Sequence, residues 1–202
     1  IEVNVPAELC ARFSAILIDN IQIKTSPLWL QARLSAIGTR SINNIVDITN
    51  YLMFDLGQPL HAYDYDKLEK NILQVRKAKS DEKAVTLDGV VRKMEKEMVV
   101  VTDASNIEDI AGIMGGNLSQ INSDTKTIIL EAANWEMYNI RRTSRQLGLR
   151  TEASTRFEKG LDPSMTIPTL KTALTLISDI GNGELASDLF DHYPSPDIAK
   201  EI

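Results

Sequence analysis

The order of helix-like and strand-like segments constrains the fold of this chain more than any other feature of its sequence. Apolar residues at helical spacing, bounded by capping and stop residues, predict helices over residues 26–38, 44–56, 134–148 and 162–181. Between the second and third of these helices lies a long stretch, residues 72–132, whose short segments are rich in β-branched residues. Because the helices flank this stretch and do not alternate with single strands, the sequence predicts an α+β fold with mixed or antiparallel sheets.

The predicted strands are short and are separated by turn residues. Asp88-Gly89 is a strong signal for a hairpin turn. A further strand is expected near the N-terminus, with Cys10 in a helix that precedes it. The predicted strands are Ile16–Ile23, Ile72–Val75, Ala84–Leu87, Val90–Lys93, Met98–Thr102, Ile110–Ile113 and Thr127–Ala132.

The size and composition of the chain limit the kinds of protein it can be. Its 202 residues, 43% of them apolar and 25% charged, suit one globular domain or two small interleaved ones, and we expect a single module over residues 1–202. The single cysteine excludes a disulfide scaffold, and no apolar stretch reaches the roughly 18 residues of a membrane span. We therefore expect a cytoplasmic protein without a membrane partner. The net charge of −6 argues against a protein that wraps nucleic acid over its whole surface.

The positive charges are nevertheless concentrated in one segment. Residues 141–160 contain six Arg or Lys residues and two Glu residues. Arg141, Arg142 and Arg145 lie together on one predicted helix. A solvated helix end, where the helix dipole favours cations, and a site of phosphate contact explain this segment equally well.

The sequence gives little support for covalent or metal-dependent catalysis. Cys10 is the only thiol, and the nucleophile motif G-x-S-x-G does not occur. His61 is followed by Asp64 and Asp66 but has no Cys or second His nearby, so we predict no metal site. Taken alone, His61 is interpreted as a half-buried histidine held by hydrogen bonds.

Two other features indicate a binding site. Three glycines within the run Ala111–Gly116 would let backbone N–H groups approach a ligand closely, although a tight turn is the alternative. Glu131 lies inside an apolar segment, where burial of an unpaired carboxylate would cost several kcal/mol. Such a carboxylate is expected to have a partner, and a structural ion pair and a ligand contact are equally compatible with the sequence.

Four motifs in the same order resemble one family. They are SINNIVDITNYLMFDLGQPLHAYD at residues 41–64, AGIMGG at 111–116, ILEAANW at 129–135 and IRRTSRQLGLRTEASTRFEKGLDP at 140–163. Together they resemble the editing module of the bacterial phenylalanyl-tRNA synthetase beta subunit, its combined third and fourth structural domains. The resemblance covers nearly the whole chain and differs mainly at Asn134-Trp135-Glu136, where the family often has an aromatic pair followed by Asp-Pro.

The resemblance implies a fold, an activity and a set of site residues. The fold would be a three-layer arrangement of sheets and helices made of two interleaved subdomains. The activity would be hydrolysis of tyrosine mischarged on the phenylalanine tRNA. The family's editing residues correspond here to His61, Gly112 through its backbone N–H, Gly115, Glu131, Thr151 and Ala153.

Each of these residues has an expected role. Glu131 would accept the proton of the tyrosine hydroxyl, and the Gly112 N–H would donate to the same oxygen. Ala153 would leave room for the ring. His61 and Thr151 would position the amino-acid or ribose end and the attacking water, and His61 is a weaker candidate for a general base.

The resemblance also implies that the chain is part of a longer beta subunit with an alpha subunit as partner. ATP and magnesium would serve the parent enzyme only, since no ATP-binding motif of a class II synthetase occurs here. Two alternatives remain: a tRNA- or subunit-binding module whose editing site has decayed, and a free-standing domain that acts on another small ester. The intact residues His61, Glu131, Thr151 and Ala153 favour editing over the decayed module. The free-standing domain is disfavoured because we expect the chain, which lacks an initiator methionine, to begin and end within a longer sequence.

Overall fold

The computed structural model describes residues 2–195 and contains five α-helices in that range. Three short 3-10 turns accompany them, at Tyr65–Lys67, Glu69–Asn71 and Pro163–Met165. The helices are α1 (Leu28–Ala36), α2 (Asn44–Leu56), α3 (Met137–Leu147), α4 (Glu152–Phe157) and α5 (Thr166–Gly181).

The same residues form twelve strands, most of them short. The strands are β1 (Glu2–Asn4), β2 (Cys10–Asp19), β3 (Leu60–Asp64), β4 (Ile72–Lys77), β5 (Lys83–Val85), β6 (Val91–Lys93), β7 (Val99–Thr102), β8 (Ile107–Ile110), β9 (Met114–Gly115), β10 (Ile128–Trp135), β11 (Glu184–Leu185) and β12 (Phe190–His192).

The strands form two five-stranded sheets and one hairpin. We call the first sheet the central sheet: its order is β11-β2-β10-β3, β12 also pairs with β2, and all its pairs are antiparallel. The second, which we call the outer sheet, has the order β1-β4-β7-β8-β9, with a parallel β1–β4 pair and antiparallel pairs elsewhere. Strands β5 and β6 form the hairpin predicted at Asp88-Gly89.

The central sheet is covered on both faces, which explains why all eight residues of β10 are buried. One face of β10, with Ile129 and Ala133, packs against the outer sheet. Its other face, with Ile128, Leu130 and Ala132, packs against α1, α2 and α5. Two sheets and a layer of helices therefore make three layers, which confirms the predicted α+β fold.

Helix α2 shows the clearest agreement between local sequence signals and structure. The Asn43 side chain accepts hydrogen bonds from the backbone N–H groups of Ile45 and Val46, which caps the helix. Gly57 ends the helix with a φ of 77°, a left-handed conformation that glycine adopts without strain. The predicted bounds 44–56 are confirmed.

Several predicted elements are wrong or displaced, among them the N-terminal strand predicted at 16–23, which is β2 at Cys10–Asp19. Cys10 is not in a helix but begins β2, where it pairs with Trp135. Because this pairing extends β10 to Trp135, α3 starts at Met137 and is capped by Glu136, not at residue 134. The strand predicted at 110–113 is β8 at Ile107–Ile110, since the residues that follow form a turn.

Candidate active site

A cleft opens between the central sheet, the outer sheet and α4. The space open to water-sized molecules measures about 80 Å³, and the cleft encloses about 380 Å³ when its open mouth is included. Five of the six residues predicted for the site line it: His61, Gly112, Gly115, Glu131 and Ala153. The fold therefore brings together residues that are as many as 92 positions apart in the sequence.

Glu131 lies in the middle of the central sheet, on the face that points toward the outer sheet. Strand register places it beside His61 of β3 and Ala15 of β2. Its side chain is buried, and its Oε2 accepts a hydrogen bond of 2.7 Å from the Tyr63 hydroxyl. The partner of Glu131 is thus a neutral hydroxyl, and the described residues do not place it in an ion pair.

The surroundings of Glu131 favour its protonated form. Burial, followed by the nearby charge of Asp109, raises the pKa of Glu131 to about 8, although the Tyr63 hydrogen bond acts in the opposite direction. A carboxyl group with such a pKa holds a proton for much of the time at neutral pH. Perturbed acids of this kind inside a cleft are typical of functional sites.

His61 lies next to Glu131 in a neutral form. Its ring meets the Tyr63 ring edge-on with 4.4 Å between the ring centroids, and burial lowers the pKa of His61 to about 4. Within residues 2–195 neither ring nitrogen takes part in a hydrogen bond. The imidazole is therefore free to donate or accept a hydrogen bond, but it is a weak base.

The glycine run forms another part of the cleft wall. Gly112 has a φ of 67°, and a Cβ atom there would approach Trp135 Cδ1 to 2.6 Å. A Cβ atom at Gly115 would collide with the His61 ring. The backbone N–H of Gly112 makes no hydrogen bond to any residue that the structure describes, so it is available to a ligand.

Thr151 and Ala153 both belong to the start of α4 but differ in their contacts. The Thr151 hydroxyl caps the helix by accepting from the Ser154 N–H at 3.0 Å, and it donates to the Ile113 carbonyl at 2.8 Å. Through these two hydrogen bonds, Thr151 joins the glycine run to the start of α4. Ala153 faces the cleft, and its small side chain leaves the space open.

Sequence reasoning missed one acidic residue of the cleft, Asp109 of β8. Its side chain is only 5% exposed and lines the cleft, and burial raises its pKa to about 7. The available signal was the pair Glu108-Asp109 inside an apolar strand segment. A carboxyl there is as unusual as Glu131, because acidic residues are almost never fully buried without a partner.

The two raised pKa values predict an unusual pH dependence of stability. A carboxyl whose pKa is higher in the folded than in the unfolded state binds more protons when folded, so its contribution to stability falls as pH rises from about 4 to about 8. The double variant Asp109→Asn, Glu131→Gln should therefore gain stability relative to wild type between pH 5 and pH 8, by a few kcal/mol in order of magnitude. Urea unfolding at both pH values measures this difference. An identical pH dependence in the two proteins would show that the carboxyls are not perturbed.

A second, larger cleft adjoins the first. It encloses about 1110 Å³ including its mouth and shares Leu60 and His61 with the first cleft. Its wall includes the polar side chains of Arg40, Asn43 and Asn50. His61 therefore stands between a small acidic cleft and a wider polar one.

The three predicted phosphate-binding arginines lie on α3 and are exposed. Arg141 donates to the Glu158 carbonyl at 3.0 Å and Arg142 donates to the Glu97 carbonyl at 3.2 Å. Neither arginine forms an ion pair with a described residue, although Arg142, after Lys77, contributes to the lowered pKa of the Glu97 carboxyl. Both interpretations of the basic segment thus remain compatible with the structure.

Within residues 2–195 there is no group of three or more His, Cys, Asp or Glu side chains placed to hold a metal ion. No helix in this range is long and apolar enough to cross a membrane.

Comparisons with known proteins agree with the motifs. The B3/4 domain family matches residues 9–182. The chain is 46% identical over 193 residues to the phenylalanine-tRNA ligase beta subunit of Moorella thermoacetica, covering 96% of this chain and 24% of that protein. It is 45% identical over 202 residues to the corresponding subunit of Carboxydothermus hydrogenoformans, covering 100% of this chain and 25% of that protein. The chain thus spans about a quarter of the length of these relatives.

A solved structure shares the fold. It is the crystal structure of an N-terminal fragment of the phenylalanyl-tRNA synthetase beta subunit from Pyrococcus horikoshii, matched with a TM-score of 0.58 at 10% identity over 91% of this chain and 49% of that one. At this identity the match supports the fold alone. The family match and the two relatives carry the assignment: the chain belongs to the B3/4 domain family and is similar over nearly its whole length to one quarter of phenylalanine-tRNA ligase beta subunits.

Proposed function

We propose that this chain is the editing module of a phenylalanine-tRNA ligase beta subunit and hydrolyses tyrosine that has been mischarged on the phenylalanine tRNA. The observation that carries the proposal is the cleft in which the buried Glu131 faces a glycine run with a free N–H. A cleft with a buried carboxyl at its wall suits a ring that ends in a hydroxyl. It does not suit an entirely apolar side chain.

The required reaction is the hydrolysis of an ester that is already activated. Positioning of water and of the ester, together with hydrogen bonds to the developing oxyanion, supplies enough stabilisation without a nucleophilic side chain. This agrees with the residues of the cleft, which include neither a serine nor a cysteine among those that line it. The neutral His61 would position the ester or the water, and Thr151 would act through the loop that it holds.

Discrimination between tyrosine and phenylalanine would arise from an unsatisfied polar group. A tyrosyl hydroxyl would fill the hydrogen-bonding capacity of Glu131 and of the Gly112 N–H. A phenylalanyl ring would desolvate both without replacing their lost water. Sites of this kind reject the analogue that lacks the hydroxyl by roughly 10⁴ to 10⁵.

The second cleft would take the end of the tRNA. With the amino-acid ring in the small cleft, the ester lies near His61, and the ribose lies on the far side of that residue. The wall there carries Arg40, Asn43 and Asn50, side chains able to hydrogen-bond ribose hydroxyls and phosphate. We assign the alpha subunit, the rest of the beta subunit, ATP and magnesium to the parent enzyme, which would work in the cytoplasm.

Deacylation of charged tRNA tests the proposal. Phenylalanine tRNA carrying tyrosine or phenylalanine is incubated with this chain and, separately, with the ligase that contains it. We expect rapid loss of tyrosine and slow loss of phenylalanine. Binding of the tRNA without faster loss of either amino acid would favour a non-catalytic binding module, and hydrolysis of both at the same rate would remove the editing role.

The basic face of α3 gives a separate prediction. If Arg141, Arg142 and Arg145 contact phosphate, changing all three to alanine should weaken tRNA binding and reduce the slope of log K against log salt by about 2 to 3, since each lost contact releases about one counterion fewer. The salt dependence of tRNA affinity measures this. The matched control is Lys171→Ala on α5, whose removal should leave the slope unchanged. An unchanged slope in the triple variant would assign the arginines to a solvated helix face.

A further inference from the structure

Asp109 is a buried carboxyl without a partner. It lies on β8, opposite Gly115 of β9 and Val101 of β7, and its side chain is 5% exposed. The carboxyl lines the small cleft. Among residues 2–195 no hydrogen bond or ion pair involves its oxygens.

Two other buried acids of the chain have structural partners, whereas Glu108 has no hydrogen-bond partner among the described residues but does not line the cleft. Asp103 accepts hydrogen bonds from the backbone N–H groups of Glu69, Ser105 and Asn106. Asp64 forms an ion pair of 2.8 Å with Lys67. Asp109 has no such contacts and faces the space that a ligand would occupy. Its burial therefore costs stability that no contact within the described chain offsets.

Asp109 and Glu131 come from different sheets and line the same cleft. The charge of Asp109 is felt at Glu131, where it contributes to the raised pKa. Two buried carboxyls that interact in this way hold protons as a pair, and the singly protonated form offers one donor and one acceptor. The Tyr63 hydroxyl occupies Oε2 of Glu131 and leaves Oε1 for a ligand.

We propose that Asp109 and Glu131 bind the tyrosine hydroxyl together: one carboxyl accepts the hydroxyl proton, and the other donates the proton that the pair shares to the phenol oxygen. Asp109 is then a second specificity-determining residue of the site. This inference rests on the proposed editing function. It adds a second carboxyl to the site, so that one carboxyl accepts the proton of the tyrosine hydroxyl and the other donates a hydrogen bond to its oxygen.

The donors and acceptors of these groups match in number those of a whole hydroxyl. A phenol oxygen has one proton to give and two lone pairs to fill. Glu131 and Asp109 supply an acceptor and a donor, and the free N–H of Gly112 supplies the second donor. A phenylalanyl ring would leave all three groups unpaired, which widens the difference between the substrates.

The protonation of the pair makes this recognition sensitive to pH. When both carboxyls ionise, the phenol oxygen faces a second anion in place of a donor. Selectivity for tyrosine should therefore hold near pH 7 to 8, where the pair keeps one proton, and decline as pH rises above about 8. Three other titratable groups around the pair stay neutral across this range: burial lowers the pKa of His61 to about 4 and raises the pKa values of Tyr63 and Cys10 above their ordinary values. Burial also raises the pKa of Glu108, the chain neighbour of Asp109.

The experiment measures binding of two stable probes to the full chain by calorimetry, from pH 6 to pH 9. The probes are the amide analogues 3′-tyrosylamino- and 3′-phenylalanylamino-3′-deoxyadenosine, which cannot be hydrolysed. Asp109→Leu should reduce the preference for the tyrosyl probe at least tenfold. Asp109→Asn keeps a donor but does not titrate, so it should retain the preference and abolish its decline above about pH 8.

The neighbouring Glu108 provides the matched control. It is fully buried on the same strand but does not line the cleft, so Glu108→Gln should leave both the preference and its pH profile unchanged. An unchanged preference in a folded Asp109→Leu, or an alkaline decline that persists in Asp109→Asn, would overturn this inference while the editing function stands. Equal binding of the two probes to the wild type would overturn the proposed function itself.

Discussion

Glu131→Ala is expected to slow hydrolysis of tyrosyl-tRNA by roughly ten- to a hundredfold and to leave the slow hydrolysis of phenylalanyl-tRNA unchanged or faster. The loss corresponds to about 1.5 to 3 kcal/mol of transition-state binding, the usual value of a hydrogen bond to a charged or strongly polarised group. Removing the carboxyl also removes the penalty on phenylalanine. The ratio of tyrosyl-tRNA hydrolysis to phenylalanyl-tRNA hydrolysis should therefore fall, because the first rate decreases and the second does not.

The contact between Glu131 and Tyr63 determines the right control. Alanine at position 131 would leave the buried Tyr63 hydroxyl without its acceptor, at a cost of about 1 to 3 kcal/mol in stability. Glu131→Gln keeps an acceptor for Tyr63 and the volume of the side chain, so it separates the stability effect from the loss of recognition. Single-turnover deacylation of both charged tRNAs, with melting curves alongside, measures both effects. Equal losses on the two substrates would make Glu131 a structural residue.

Ala153→Trp is expected to reduce the hydrolysis of tyrosyl-tRNA more than a hundredfold, while the melting temperature stays within a few degrees of the wild-type value. The side chain of Ala153 faces the cleft, and an indole there would occupy the space required by the tyrosyl ring. Because that space is empty in the folded protein, the substitution fills a cavity and does not overpack a core.

A smaller change at the same position provides the control. Ala153→Gly keeps the cleft open and should retain most of the activity, at a helix cost of about 0.5 to 1 kcal/mol. Rates of deacylation for both variants, measured with their melting temperatures, distinguish a blocked cleft from a damaged fold. Retained hydrolysis in a folded Ala153→Trp would mean that the ring binds elsewhere.

The parts of the fold that local signals determine were predictable from sequence. Helix α2 begins at a capping Asn43 and ends at Gly57, and both signals act within one turn of the backbone they stabilise. The hairpin at Asp88-Gly89 is equally local. The family motifs located the cleft residues, because the sequence carries those motifs in a fixed order.

The parts that depend on distant partners were not predictable. Asn134 and Trp135 resemble a helix start in sequence, but pairing with β2 draws them into β10, where Trp135 packs edge-on against Phe13 at 6.1 Å. The same pairing makes Cys10 a strand residue. Long-range pairing of this kind overrides local propensity.

The site shows the same limit. Glu131 was identified as an unusual carboxyl, but its partner Tyr63 becomes visible only once β3 lies beside β10. Asp109 reaches the cleft from the other sheet, so no spacing in the sequence connects it with Glu131. Thr151 matches the family motif, yet its hydroxyl is used by the Ser154 N–H and the Ile113 carbonyl. Contacts across layers decided each of these roles.

The most direct test of the central claim, that Glu131 in the small cleft reads the tyrosine hydroxyl, is a crystal structure of this chain with the 3′-tyrosylamino-3′-deoxyadenosine analogue. We expect the ring to lie against Ala153 and the phenol oxygen to lie within about 2.5 to 3.2 Å of a Glu131 oxygen, with the amide nitrogen near His61. A ring bound outside the small cleft, or one bound in it with the hydroxyl pointing away from Glu131, would show that Glu131 does not read the tyrosine hydroxyl.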